Sequence, residues 1–158
     1  MKRIFSLLMS AVFCFAVTLT AFALPSYVGN GEIAIGGITL TSTEDYVKSI
    51  YGSPDNIRYE NNAVWGNTHI ARYGNSFYIT YTDKGGIVSV KTTANNGLKT
   101  PAGFTVGQNI NVVTDYFPAN ALRKGSNSYA CNGSWEQNMM FKYNHKKKIS
   151  EISIYWTP

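Results

Sequence analysis

The chain is poor in cysteine. Of its two cysteines, Cys14 lies within an N-terminal apolar run and Cys131 stands alone in the remainder. Once Cys14 is removed no intramolecular disulfide can form, so the fold must hold by packing alone. Cys131 reads as a small, partly buried apolar residue on a strand, with a reactive thiol as the alternative. Histidine is equally scarce. His69 and His145 are far apart, neither has Cys, Asp or Glu at ligand spacing, and three lysines follow His145. That pattern gives no clustered metal motif, and no metal or other cofactor is expected. Gly36-Gly37 and Gly85-Gly86 are turn pairs, and neither opens a Gly-x-Gly-x-x-Gly phosphate loop. There is no Gly-x-Ser-x-Gly elbow. Carboxylates number nine, and none are paired in a way that marks a general acid and base. The chain therefore reads as non-enzymatic. Its formal charge of +5 draws on Lys2, Arg3 and the Lys146-Lys147-Lys148 cluster, not on a basic stripe, so nucleic acid is not an expected partner.

What is present begins with a leader. Lys2 and Arg3 precede an apolar run from Ile4 to Leu19, and Ala21-Phe22-Ala23 supplies the small residues of a cleavage site. This is the order of a secretory signal peptide over residues 1–23, cut between Ala23 and Leu24, which makes the protein secreted or periplasmic. A retained anchor is the alternative. Val12-Phe13 ahead of Cys14 does not fit a lipid-attachment signal. No later segment is long and apolar enough to span a membrane, and the remainder has the size of one compact, monomeric unit.

Thr41-Ser42-Thr43-Glu44 has the form of a capping box, and Tyr46, Val47, Ile50 and Tyr51 follow at helical spacing. Gly52 and Pro54 are placed to stop the helix, which is predicted over residues 42–51. Extended pieces follow at Val64-Trp65 and Ile70–Tyr73, then a hairpin: Phe77–Tyr81, a turn at Asp83-Lys84-Gly85-Gly86, and a return from Ile87 to Thr93. The second half repeats the order. Phe104-Thr105-Val106 stands where Ile38-Thr39-Leu40 stood. A second helical stretch carries Ile110, Val113, Tyr116 and Phe117, and Pro118 stops it. MMFKYNHKKKISEI then echoes FYITYTDKGGIVSV.

This pattern predicts an α+β fold of two tandem repeats of about 60 residues, each a short helix on one face of a three- to four-stranded antiparallel sheet with the other face open. The expected organisation is an N-terminal extension over 24–34, repeat 1 over 35–94, a polar linker over 95–100 and repeat 2 over 101–158. Alternation puts Phe77, Ile79, Tyr81, Phe141, Tyr143, Ile152, Ile154 and Trp156 toward the helices. It puts Tyr78, Thr80, Lys91, Met140, Lys142, Glu151, Ser153 and Tyr155 on the open face.

The phrases ITLTSTEDYVKSIYGSPD and FYITYTDKGGIVSV, echoed by FTVGQNINVVTDYFP and MMFKYNHKKKISEI, resemble the secreted beta-lactamase-inhibitor proteins and the small outer-membrane-assembly lipoproteins of the SmpA/OmlA type. The resemblance covers residues 35 to 157. It implies a non-enzymatic protein-binding module, inhibitor-like in kind, that uses its open sheet face and loops. The chain departs from the inhibitors in lacking paired cysteines and from the lipoproteins in lacking the lipidated cysteine, so neither group's target carries over.

The candidate binding residues are Tyr73, Tyr78, Met140, Lys142 and Tyr155 on the open face, with Trp65 and Trp135 near the adjoining loops. Exposed Tyr and Trp bury large areas at small entropic cost and are common binding anchors. The expected partner is another envelope or extracellular protein. The competing reading is an envelope-associated structural protein that contacts an anionic surface through His145-Lys146-Lys147-Lys148.

Overall fold

The structure is a computed structural model that describes residues 28–157, so the signal-peptide reading of residues 1–23 lies outside the described residues. Its centre is one eight-stranded antiparallel sheet. The strands are β1 (Asn56–Asn62), β2 (Gly66–Tyr73), β3 (Phe77–Thr82), β4 (Ile87–Thr92), β5 (Leu122–Lys124), β6 (Ser128–Asn132), β7 (Gln137–Tyr143) and β8 (Ile149–Trp156). Their order across the sheet is β1-β2-β3-β4-β8-β7-β6-β5.

This corrects the predicted fold of two tandem helix-on-sheet repeats. The two runs of strands do not form separate sheets. The free edge of β4 is taken by β8, with Val90 opposite Ile154 and Lys91 opposite Ser153. The physical reason is that an unpaired central edge leaves backbone donors and acceptors without partners, and the pairing satisfies both strands at once. Helix is also sparser than predicted. The two α-helices among the described residues are α1 (Glu44–Tyr51) and α2 (Asn111–Tyr116), and both are too short to be stable without packing. Neither is long and apolar enough to cross a membrane.

α1 starts later than the capping box implied. Thr43, not Thr41, is the cap, its hydroxyl accepting from the Tyr46 amide at 3.2 Å. The helix ends at Gly52, whose positive φ of 75° closes the last turn onto the Lys48 carbonyl. Only Val47 of α1 is fully buried; Tyr46 and Ile50, predicted to face the core, are both 47 % exposed. So short a helix lays down little of its length on the sheet, and the flanking loops also supply buried residues, Ile38 and Leu40 among them. The same holds for α2, where Val113 is buried and Tyr116 is exposed, while Ile110 and Phe117 pack from the flanking turns.

The core lies between these elements and one face of the sheet. Ile79, Tyr81, Val90, Phe141, Ile152 and Ile154 of the central strands are all sealed from solvent. Alternation explains this: β3 reads buried, half-buried, buried along its whole length. Phe104 sits edge-on to Phe141 at 5.3 Å and against Phe117 at 5.7 Å. At the other end Tyr51 packs on Phe77 at 5.0 Å and on Tyr73 at 5.9 Å.

The segment ahead of α1 is joined to the sheet and core. Val28 bridges to Gly133 and its amide donates to the Asn132 carbonyl at 2.7 Å, while Ile33 and Ile35 are fully buried. The polar stretch after β4 is likewise anchored: Thr100 is buried, and the Gly36 amide donates to the Lys99 carbonyl at 2.9 Å.

At Gly36 the fold tolerates no side chain. The residue has φ +59°, and a Cβ there collides with the Tyr51 hydroxyl and Leu98 Cδ2. That same hydroxyl donates to the Gly36 carbonyl at 2.6 Å, tying the turn before α1 to the last residue of the helix. Tyr51→Phe is expected to lose about 1 kcal/mol, and Gly36→Ala more, because it adds strain to the loss of that contact. Urea unfolding of both variants checks the order; equal stability of Gly36→Ala and wild type would contradict the close approach.

Candidate functional site

The face of the sheet turned away from the helices carries a groove of about 540 Å³. Its floor consists of two cross-strand rows. In one, Arg72 on β2, Tyr78 on β3, Lys91 on β4 and Ser153 on β8 stand opposite one another, and Met140 on β7 continues the line. In the other, Ile70, Thr80, Ser89 and Tyr155 follow the same strand order, with Asn138 beyond. Because side chains alternate along each strand, these rows face out wherever the core residues face in. Arg58 and Asn56 of β1 close one side and Glu151 the other.

The polar contacts within the groove are uneven. The Ser89 hydroxyl bonds to Thr80 Oγ1 at 3.1 Å, and the Tyr78 hydroxyl donates to the Asn75 carbonyl at 3.1 Å. Lys91 Nζ lies 5.1 Å from the centre of the Tyr78 ring, within cation–π range. Arg58 pairs with Glu60 at 3.1 Å and Lys142 with Glu151 at 2.9 Å. Four buried side-chain atoms have no partner among the described residues; two of them, Arg72 Nε and Ser153 Oγ, belong to this face, and the others are Tyr81 Oη and Glu32 Oε2. Ser153 is only 6 % exposed.

The structure brings together part of the predicted set. Tyr78 and Tyr155 line the groove. Met140 stands one strand beyond Ser153, and Lys142 is held at the margin by Glu151. Tyr73 is not there. It is 8 % exposed on the opposite face, packed against Tyr51 and Phe77. A one-residue shift in parity exchanges it for Arg72, which is the groove residue of β2. Trp65 lies in the β1–β2 turn, half-buried, its amide donating to Asn62 Oδ1 at 3.1 Å. Trp135 is 80 % exposed in the β6–β7 turn at φ 61°, beside a separate concavity shared with Trp156, Asn30 and Thr41.

Sequence reasoning missed Arg58 and Arg72. The signal for Arg72 was its alternation with Ala71 and Tyr73, which are both buried. Arg58 gave none, since β1 is exposed along almost its whole length and carries no apolar alternation.

The lysine turn has a structural basis of its own. Asn144 Oδ1 accepts from the amides of Lys146 and Lys148 at 2.9 and 3.1 Å, and the Lys147 carbonyl accepts from the Ile110 amide at 2.8 Å next to α2. His69 is stacked on Tyr81 at 5.1 Å. No group of three or more His, Cys, Asp or Glu placed to hold a metal occurs among the described residues. Cys131 is fully buried on β6, its Sγ 3.8 Å from the Met139 carbonyl, and burial pushes its thiol up to about 12.

No family model and no curated protein matches the chain. Among solved structures, the fold is similar to that of a cysteine-rich secretory protein from Staphylococcus aureus subsp. aureus Mu50, with TM-score 0.51 and 12 % identity over 75 % of this chain and 44 % of that one. An extracellular protein containing an SCP domain from Bacillus anthracis str. Ames aligns with TM-score 0.49 and 11 % identity over 73 % of this chain and 43 % of that one. The chain thus spans less than half the length of either protein. The staphylococcal likeness concerns the fold alone.

The burial of Cys131 sets two linked outcomes. The folded protein is expected to resist a thiol reagent at mildly alkaline pH and to react fully once unfolded. The folded state holds the thiol proton more tightly than the unfolded chain. The contribution to stability is therefore complete below the ordinary thiol value and declines as pH rises from there to about 12. Reagent titration with and without denaturant, and unfolding across that alkaline range, check both.

Proposed function

We propose that the protein is a secreted, non-enzymatic binding module that takes up another extracellular protein on the open face of its sheet. The observation that supports this most is the groove over β2, β3, β4 and β8, where two tyrosines stand beside a half-buried cation and two buried polar atoms that the fold leaves unpaired. Protein cores rarely leave such atoms without partners, and a partner molecule supplies them. The architecture fits this use: an antiparallel sheet with one face covered leaves the other open to solvent.

Secretion rests on the pattern of residues 1–23. The staphylococcal protein of similar fold is itself described as secretory. Protein binding is also what the resemblance to the beta-lactamase-inhibitor and SmpA/OmlA groups implies. No step of bond chemistry is assigned to the groove.

The test is affinity capture from extracellular and envelope extracts with the secreted protein as bait, compared with Tyr78→Ala and Met140→Ala variants. Both positions are only half-buried, so the variants are expected to fold, as circular dichroism will show. Loss of the captured partner in the variants, with retention in a Trp135→Ala control, is the expected result. Capture that persists in folded Tyr78→Ala and Met140→Ala would rule out the open face as the binding surface.

A further inference from the structure

The charges on the open face do not balance locally, and the imbalance is confined to one spot. Arg58 and Lys142 each have a carboxylate of their own, Glu60 at 3.1 Å and Glu151 at 2.9 Å. Arg72 and Lys91 have no ion pair among the described residues, and they stand in the same cross-strand row on either side of Tyr78. Lys91 leans over the Tyr78 ring, toward the strand that carries Arg72. The next residue in the row is Ser153, whose buried hydroxyl has no partner, and Arg72 Nε is buried and unpaired as well.

Arg and Lys only donate, and a serine hydroxyl donates readily. The three groups thus share one unmet requirement, an acceptor carrying negative charge. Charge-assisted hydrogen bonds to a carboxylate are the strong way to meet it, and Arg suits a planar carboxylate best. We infer that the groove is built to hold an acidic segment of a protein partner, one carboxylate seated over Tyr78 between Arg72, Lys91 and Ser153. This inference rests on the reading of the open face as the binding surface.

The surroundings favour a peptide over an anionic polymer. Beyond Arg72 and Lys91 the neighbouring charges are paired off, Arg58 with Glu60 and Lys142 with Glu151, so a chain with charge on every unit would find cations for only part of its length. The remaining lining includes Ile70, Tyr78 and Tyr155, which offer apolar and aromatic surface to the residues beside an acidic side chain.

The experiment measures binding of the secreted protein to a fluorescent peptide with Tyr-Glu-Leu-Glu-Tyr between Gly-Ser flanks, to its Gln-for-Glu counterpart, and to polygalacturonate and inorganic phosphate as competitors. The acidic peptide is expected to bind about tenfold or more tightly than the Gln form, with affinity falling as salt rises. The double variant Arg72→Gln, Lys91→Gln is expected to abolish that preference, and the triple variant Lys146→Gln, Lys147→Gln, Lys148→Gln to retain it. Ser153→Ala provides a separate check: it removes an unpaired buried hydroxyl, so binding should weaken while the unfolding midpoint does not fall. Equal binding of both peptides, no binding of either, dependence on the lysine turn, or competition by polygalacturonate or phosphate as strong as by the peptide would each overturn the inference. If the captured partner is lost with Tyr78→Ala but kept with Arg72→Gln, Lys91→Gln, the acidic-segment inference falls and the binding face stands. If neither variant affects capture, both fall.

Discussion

The pairing of β4 with β8 is the interaction on which the rest of the structure depends. It sets Ser89 opposite Tyr155, Val90 opposite Ile154, Lys91 opposite Ser153 and Thr92 opposite Ile152. Each of these strands ends a run of four, and without the pairing each leaves an open central edge. The seam is reinforced at its end by the Trp156 indole, which donates to the Ile87 carbonyl at 2.9 Å. Two consequences follow from the one register. On one face Val90 and Ile154 join a single continuous core, with no disulfide among the described residues to support it. On the other, Lys91 comes beside Ser153 and a groove forms across the joint. A slip of one residue would turn both sets over together.

The two faces are built on opposite terms. The helix-facing side is packed with rings, which interlock from Tyr51 through Phe77 at one end and from Phe104 through Phe141 at the other, and the Tyr81 hydroxyl is buried there without a partner among the described residues. The open side keeps the Arg72 Nε and the Ser153 hydroxyl buried without partners. Such atoms cost stability in the free protein, typically about 1–3 kcal/mol each, and on the open side two of them lie in one cross-strand row at the floor of the groove. The lysine turn is different in kind. Its Asn144 cap and its contact with the start of α2 give it a structural purpose without any ligand.

Much of the local structure was legible in the sequence. The alternation of FYITYT and of ISEISIYW gave strands β3 and β8 with their faces correctly assigned, and Gly52 marked the end of α1. The single sheet was not legible, because periodicity tells which side of a strand is buried and not which strand lies beside it. β4 and β8 are distant in sequence, and nothing local records their pairing. Strand β1, NIRYENN, was missed because an exposed edge strand needs no apolar alternation. The site was half legible for the same reason. Tyr78 and Tyr155 follow from well-patterned strands, whereas Tyr73 was assigned to the wrong face of β2 and concealed Arg72. Tyr46 and Ile50 show the converse limit: helical spacing identified an apolar face, but the helix is too short to bury all of it.

That both halves form one sheet is most directly tested by native-state hydrogen exchange across a denaturant series. If β8 completes the sheet beside β4, the slowest amides of β3, β4, β7 and β8 will exchange through one global unfolding event with a common free energy and a common denaturant dependence. If the amides of β3 and β4 instead open at a free energy distinct from those of β7 and β8, the halves are separate folding units and the shared groove across their joint does not exist as described.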